Sequence, residues 1–149
     1  MKGEEGLTLI ELITVLTLLS IIVLVVIPST DFFDTARSNM RLTLIAHEVV
    51  SDLRYIQQKS IFEREILYLD ILEGGRGYFL GSSKDNKIIK EKKFPKGVTI
   101  EKNISKDIRF NEAGVPSNGG CTITLKNEKK KMKITILPAT GRIMIKGAY

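Results

Sequence analysis

A long uncharged segment near the N-terminus constrains the fold most strongly. From Leu12 to Thr30 the chain carries no charged side chain over 19 residues, about the length that an α-helix needs to cross the hydrocarbon core of a bilayer. Many of these residues are β-branched and form helices poorly in water. In lipid the backbone must satisfy its own hydrogen bonds, so the segment forms a helix there. We predict a membrane-spanning helix.

Two other interpretations of this segment fit less well. The apolar part of a secretory signal peptide spans about 7–15 residues and ends at a small-residue cleavage site. This run is longer, and residues 27–30 (Ile-Pro-Ser-Thr) provide no such site. A helix that is apolar on all sides could also lie in a protein core, but the 119 residues that follow Thr30 are too few to cover it.

A single acidic residue, Glu11, stands at the start of this run. A carboxylate inside the hydrocarbon costs about 2–3 kcal/mol or more, so such a residue is a functional candidate. A simpler interpretation is available, because Thr8 and Glu11 have the spacing of a capping box. An acid in the first helical turn also complements the helix dipole. The cap and a role in assembly are compatible.

The segment Gly6-Leu7-Thr8-Leu9-Ile10-Glu11-Leu12, preceded by a short polar leader, resembles the N-terminus of type IV prepilins and of type II secretion pseudopilins. The resemblance implies that a prepilin peptidase cuts between Gly6 and Leu7 and methylates the new N-terminus at Leu7. It also implies that the Glu11 carboxylate pairs with the Leu7 amine of a neighbouring subunit. A charge pair in a dry helix bundle is far stronger than in water.

The same resemblance implies the organisation of the whole chain. Residues 1–6 would be the leader peptide, 7–30 the transmembrane and assembly helix, and 31–149 a globular head. Pro28 matches the proline that often breaks the long helix of this family. Arg37 and Arg41 outnumber Lys2 beside the span, which mildly favours a cytoplasmic head. The resemblance implies the opposite: a single-pass protein of the cytoplasmic membrane whose head is exported and then enters an extracytoplasmic filament.

The remainder of the chain predicts an α+β fold. From Asp34 to about Phe62 residues recur at helical spacing as one stripe: Leu42, Ile45, Ala46, Val49, Leu53, Ile56, Ser60 and Ile61. Short strand-like runs separated by turn residues follow: 65–72, 78–80, 87–94, 98–101, 108–110, 121–126, 132–137 and 142–146. The runs 121–126 and 132–137 predict a β-hairpin with one buried and one solvent-exposed face. We predict a long helix packed on antiparallel strands.

Three short segments of the head resemble the H-type minor pseudopilins: Phe94-Pro95-Lys96-Gly97-Val98, Ile108-Arg109-Phe110 with Gly114 after it, and Gly141-Arg142-Ile143. This resemblance implies a minor pilin or pseudopilin, a structural subunit of a type II secretion pseudopilus or of a pilus-like filament. Its implied partners are other pilins, the prepilin peptidase, the inner-membrane assembly platform and lipid.

The head is basic, with 22 basic and 14 acidic residues after Thr30. An alternative function is therefore a competence-type pseudopilin or membrane-tethered module whose head binds DNA or another polyanion. The candidate contacts are Lys87, Lys90, Lys92, Lys93, Lys96, Lys129, Lys130, Lys131 and Lys133. A lysine-rich surface that serves only solubility is the simpler interpretation.

No pattern for catalysis or for a cofactor stands out. His47 is the only histidine and Cys121 the only cysteine, so we exclude a histidine metal cluster and an intramolecular disulfide. We expect His47 on a helix surface and Cys121 as a small buried residue. Asp107 and Glu112 could bind a cation, but scattered surface acids are the better interpretation. We predict a protein that is not an enzyme and needs no cofactor.

Overall fold

The computed structural model of the protein describes residues 8–26 and 30–146. These residues belong to two compact units, which divide between Arg37 and Ser38. Helix α1 spans Leu9–Val26 and lies in the first unit. The second unit contains all the strands.

Helix α2 spans Thr30–Gln58 and passes into a π-helical turn at Lys59–Glu63. The predicted amphipathic helix is confirmed, although it begins before Asp34, because residues 30–33 contain no glycine or proline that would stop it. Arg64 ends the helical path in the left-handed region at φ 54°. The backbone N–H of Glu65 donates to the carbonyl of Lys59 at 3.3 Å.

Eight strands follow α2, and each agrees closely with a run expected from the sequence. They are β1 Leu67–Ile71, β2 Gly77–Ser82, β3 Ile88–Lys93, β4 Thr99–Lys102, β5 Ile108–Arg109, β6 Cys121–Lys126, β7 Lys131–Ile136 and β8 Ile143–Lys146. They form two four-stranded sheets: a first sheet in the order β3-β2-β1-β5 and a second sheet in the order β4-β6-β7-β8. All their pairings are antiparallel, and the predicted α+β fold is confirmed.

The core joins the inner stripe of α2 to the inner faces of both sheets. Every member of the predicted stripe from Leu42 to Ser60 is buried. Ile61 is the exception at 41% exposed, because the π-helical turn adds a residue to the helix and shifts the stripe out of phase. Cys121 is buried where β6 opens, and His47 is exposed on α2, both as expected.

The hairpin of β6 and β7 has the expected alternation. Inward residues such as Ile123 and Ile134 face each other in the register and are fully buried. The intervening residues stay partly or fully exposed. One side of the second sheet therefore faces the core and the other faces water.

Candidate assembly helix and basic surfaces

The start of α1 forms a reciprocal cap between Thr8 and Glu11. The Thr8 backbone N–H and side-chain hydroxyl both donate to Oε2 of Glu11, at 2.9 and 2.8 Å. The Glu11 backbone N–H donates in return to Oγ1 of Thr8 at 3.4 Å. The predicted capping box is confirmed. Within the part of the chain that the structure describes, Oε1 of Glu11 accepts no hydrogen bond.

The apolar surface of α1 is uncovered along its length. Its large apolar side chains are between 49% and 78% exposed, and none of its residues is buried. By length and composition, this is the one helix among residues 8–26 and 30–146 that could cross a membrane. Such a surface needs lipid or other apolar helices around it, because water would make its exposure costly.

The three hydroxyl residues of α1 bond to their own helix. Thr14 donates to the carbonyl of Ile10 at 2.7 Å, and Ser20 donates to that of Leu16 at 2.8 Å. Thr17 donates to the carbonyl of Ile13 at 3.0 Å. Because these hydroxyl groups already donate hydrogen bonds within the helix, burying α1 in an apolar environment costs little additional free energy at these positions.

Three of the sequence-predicted residues lie outside the described residues. These are the cleavage-site pair Gly6 and Leu7 and the kink residue Pro28. Cleavage, N-methylation and the pairing of Glu11 with Leu7 therefore stay predictions.

The lysines of β3 are tied to acids rather than gathered on a free surface. Lys90 donates to both carboxylate oxygens of Asp52, at 3.0 and 2.7 Å, and lies 3.2 Å from Glu48. Lys92 lies 3.0 Å from the other oxygen of Glu48. Because both acids come from α2, these pairs hold the edge strand of the first sheet against the helix.

A buried tyrosine completes this network. The Tyr78 hydroxyl donates to Oδ2 of Asp52 at 2.6 Å. Burial, followed by the hydrogen bond to Asp52, raises the pKa of Tyr78 well above its ordinary value. Burial alone would raise the pKa of Glu48, but its bonds to Lys92 and Lys90 outweigh burial and lower it. The network therefore favours a charged Glu48 and a neutral Tyr78 phenol at neutral pH.

The remaining candidate lysines lie elsewhere. Lys93 pairs with Glu91 at 3.2 Å. Lys87 and Lys96 are exposed on either side of β3. Lys129 and Lys130 lie in the β6–β7 turn, where their backbone N–H groups donate to Oδ1 of Asn127. The nine candidate lysines therefore do not form one surface.

A compact basic surface lies on the outer face of the second sheet. Lys131 and Lys133 are exposed on the same side of β7, and Lys133 faces Lys146 of β8 in the register. Within residues 30–146 these three lysines form no ion pair. We call this set the β7–β8 lysine face. The sequence reasoning missed Lys146, although its place in a terminal strand with period-two alternation is a usable signal.

Two of the three segments that carried the H-type resemblance meet at the end of α2. Nε2 of Gln57 donates to the carbonyls of Gly114 and Gly141, at 2.7 and 3.0 Å. Ser60 donates to the carbonyls of Phe110 and Asn111 at 2.9 and 2.6 Å. These glycines are far apart in sequence and are brought together by one side chain, which the sequence reasoning did not single out.

The described residues 8–26 and 30–146 contain no group of three or more His, Cys, Asp or Glu side chains that could hold a metal ion. Asp107 pairs with Arg109, and Glu112 lies 3.6 Å from Arg64. Burial raises the pKa of the Cys121 thiol to about 11, so the nucleophilic thiolate is scarce at neutral pH.

Comparison with known proteins gives structural neighbours only. No protein-family model and no curated protein sequence matches the chain. The type IV minor pilin FimU of Pseudomonas aeruginosa aligns with a TM-score of 0.62 at 15% identity, covering 74% of this chain and 91% of that one. The minor pseudopilin EpsH of the type 2 secretion system of Vibrio cholerae aligns with a TM-score of 0.61 at 8% identity, covering 72% and 97%.

These neighbours share with the protein an α+β fold in which a long helix packs on antiparallel strands. The fold is therefore that of pilin-like proteins. Within that class it is found in both a type IV minor pilin and a type II minor pseudopilin.

Proposed function

We propose that the protein is a minor pilin or pseudopilin, a structural subunit anchored by α1 in the cytoplasmic membrane and then assembled into an extracytoplasmic filament. One observation carries the proposal: a helix with a wholly uncovered apolar surface precedes a head with the pilin-like fold. In the filament, α1 helices of neighbouring subunits replace lipid around this surface.

The charge of Glu11 guides assembly in this proposal. Its Oε2 is engaged by Thr8, whereas Oε1 is available to a neighbour. The N-methylated amine of Leu7 on an adjacent subunit is the partner. A charge pair buried among apolar helices is strongly favoured over either charge alone, so it sets the axial register between subunits.

Processing and delivery complete the proposal. A prepilin peptidase cuts after Gly6 and methylates Leu7, and an inner-membrane platform moves the subunit into the filament. The H-type segments support a low-copy subunit that lies near the filament tip or along the filament. Such a filament serves protein secretion, pilus growth or DNA uptake.

Mass spectrometry of the protein extracted from membranes tests processing directly. In cells with an active prepilin peptidase, the chain is expected to begin at N-methyl-Leu7. Gly6→Val should leave the leader attached, whereas the matched change Gly3→Val, within the leader but away from the cut, should not. A stable Met1 terminus in the unaltered protein would overturn the proposal.

Polyanion binding by the head is a second candidate function. The β7–β8 lysine face supports it, because Lys131, Lys133 and Lys146 adjoin one another without acidic partners among residues 30–146. Residues two apart on a strand are separated by about 7 Å and paired residues by about 5 Å. Three cations at these spacings can contact successive phosphates of DNA without reading its sequence.

The salt dependence of duplex DNA binding tests this candidate. Affinity should fall steeply with salt. The triple change of Lys131, Lys133 and Lys146 to Gln should weaken binding much more than the same change at the exposed Lys84, Lys87 and Lys106. Equal losses in the two variants would show that only net charge matters.

A further inference from the structure

The last strand of the second sheet, β8, has an unpaired edge. The Leu137 N–H donates to the carbonyl of Arg142 at 3.0 Å, so these two residues form a hydrogen-bonded pair. Such pairs alternate along an antiparallel ladder with pairs that share no hydrogen bond. The register of β7 and β8 therefore turns the backbone N–H and C=O groups of Ile143 and Ile145 away from β7. Within residues 30–146 no hydrogen bond reaches these groups.

The edge strand β3 of the first sheet is protected against pairing with a further strand. Its register with β2 shifts between Leu80 and Gly81, and its inward lysines, Lys90 and Lys92, are bound to acids of α2. A bulge and inward-pointing charges are usual devices by which proteins block an edge. β3 is thus a poor site for strand addition.

The free sides of β4 and β5 are covered by neighbouring segments. A Cβ atom on Gly75 would stand 2.5 Å from the carbonyl oxygen of Ile100, so the turn before β2 lies against β4. The Ser117 N–H donates to the carbonyl of Arg109 at 2.9 Å, so the loop after β5 folds back along that strand. Of the four edges formed by the described strands, β8 alone has no bulge, no inward-pointing charge and no segment bonded along it.

The side chains along this edge differ between the two faces of the sheet. Ile143 is buried, and Ile145 is partly buried against the core. Arg142 and Lys146 lie on the outer face, where Lys146 faces Lys133 in the register. None of these three cations forms an ion pair within the described head. A further strand would cover the exposed part of Ile145 on one face and meet cations on the other.

We propose that the β8 edge binds an extended segment of a partner protein in which acidic and apolar residues alternate. The segment adds to the second sheet as a further strand, and its backbone pairs with the outward groups of Ile143 and Ile145. Its apolar side chains extend the core face of the sheet. Its acidic side chains lie on the outer face, beside Arg142 and the β7–β8 lysine face. The hydrogen bonds supply affinity, and the alternation of charge and apolarity supplies specificity.

A second copy of the chain is the main competing occupant, because two β8 strands could pair with each other. If Ile143 of one copy faced Ile145 of the other in an antiparallel pair, Arg142 would face Lys146 on the outer face. Like charges directly opposite one another destabilise a sheet. The cations therefore disfavour self-pairing and select an acidic partner.

The proposal depends neither on the filament role nor on DNA binding. Duplex DNA would contact the lysine side chains alone, whereas an added strand also needs the backbone groups of Ile143 and Ile145. A change that removes one of these backbone groups and leaves the lysines in place therefore tests strand addition separately.

Fluorescence anisotropy of a labelled peptide tests the proposal with the full chain held in micelles of an uncharged detergent. The probe has the sequence Gly-Glu-Val-Glu-Val-Glu-Val-Gly. One control peptide has Lys in place of each Glu, and another has the same residues in blocks, Gly-Glu-Glu-Glu-Val-Val-Val-Gly. We expect saturable binding of the alternating acidic peptide, about tenfold tighter than that of either control. In the complex, the amides of Ile143 and Ile145 should gain protection from hydrogen exchange.

A proline substitution removes one outward N–H without removing a bond to β7. Ile145→Pro should weaken binding of the acidic peptide about tenfold. Glu91→Pro is the matched control, because the hydrogen bond from Phe94 to Arg76 and the register of β2 and β3 turn the Glu91 N–H outwards on the blocked edge. This control should leave affinity unchanged, and circular dichroism should show that both variants remain folded.

A charge reversal tests the outer face without altering the backbone. Lys133→Glu combined with Lys146→Glu should reverse the preference, so that the lysine peptide binds more tightly than the acidic one. The same change at the exposed Lys84 and Lys87 should leave the preference as it is. Absence of saturable binding up to millimolar peptide, unchanged affinity in Ile145→Pro, or a dimer of the chain that Ile145→Pro abolishes would overturn the proposal.

Discussion

At the residue scale, a single polar side chain can join two loops that are distant in sequence. Gln57 bonds to the carbonyls of Gly114 and Gly141, and these glycines have φ of +73° and +64°. A side chain at either position would be strained by the left-handed backbone. Position 141 is doubly restricted, because a Cβ there would overlap the carbonyl oxygen of Gly114.

Gly141→Ala should therefore destabilise the head more than a glycine replacement with backbone strain alone. Gly97 is the matched control, since its φ is +86° but no atom lies within 4 Å of an added Cβ. We expect a loss of about 1–2 kcal/mol for Gly97→Ala and of about 3–4 kcal/mol for Gly141→Ala, measured by urea unfolding. Similar losses in both variants would show that the Gly114–Gly141 approach does not matter.

The Tyr78 hydroxyl gives a second prediction at this scale. Its pKa is raised by burial and by the hydrogen bond to Asp52, whereas the pKa of a tyrosine in the unfolded chain is about 10. The stability that the neutral phenol contributes is thus complete below about pH 10 and falls as the pH rises above it. Tyr78→Phe should show a shallower loss of unfolding free energy above pH 10 than the unaltered protein. Parallel curves would contradict this prediction.

At the scale of single elements, α1 has a first turn whose backbone is capped by hydrogen bonds, but its apolar side chains have no apolar surroundings. The Thr8–Glu11 box caps its first turn, while its apolar side chains remain exposed along the whole helix. The cap explains how Glu11 can be tolerated, and the uncovered surface explains why α1 needs lipid or other helices. These two features are separable by substitution.

Glu11→Gln and Thr8→Ala together separate the cap from the charge. Gln is also a capping-box residue, so Glu11→Gln keeps the hydrogen-bonding pattern but removes the charge. Thr8→Ala weakens the cap by about 1 kcal/mol and retains the charge. We expect Glu11→Gln to abolish most filament incorporation, measured in sheared filament fractions, and Thr8→Ala to reduce it only slightly. The reverse order would make Glu11 a helix cap only.

At the scale of the whole molecule, the core belongs entirely to the second unit. Among residues 8–26 and 30–146, the buried apolar side chains begin with Leu42 and end with Ile143. None comes from α1. The head therefore contains the apolar burial that its own folding requires, at a size where stabilities of about 5–15 kcal/mol are usual.

A chain of residues 31–149 should consequently fold without α1. We expect a soluble product that unfolds cooperatively in urea, with far-ultraviolet circular dichroism of an α+β protein. A non-cooperative transition, with the protein soluble, would show that the N-terminal segment contributes to the core. This truncation also tests the predicted boundary between the assembly helix and the head.

Several features of the protein were predictable because they depend on local pattern. Apolar spacing identified the buried side of α2 from Leu42 to Ser60, and alternation identified the two faces of β6 and β7. The Thr8–Glu11 box followed from a three-residue spacing. The resemblance that pointed to the class of protein also rested on a short local segment, and the fold agrees with it.

Other features required contacts between residues distant in sequence. The sequence places Lys90 and Lys133 alike in basic runs, but Lys90 is bound to two acids of α2 and Lys133 stands beside Lys146. The π-helical turn that exposes Ile61 likewise has no clear local signal.

The sequence by itself determined the long apolar helix, the amphipathic helix and the positions of the strands along the chain, because each depends on the pattern of neighbouring residues. Only the tertiary structure decided which lysines form ion pairs and how Gln57 joins two glycine loops. These depend on sheet order and register, which bring residues together that no short stretch of sequence connects.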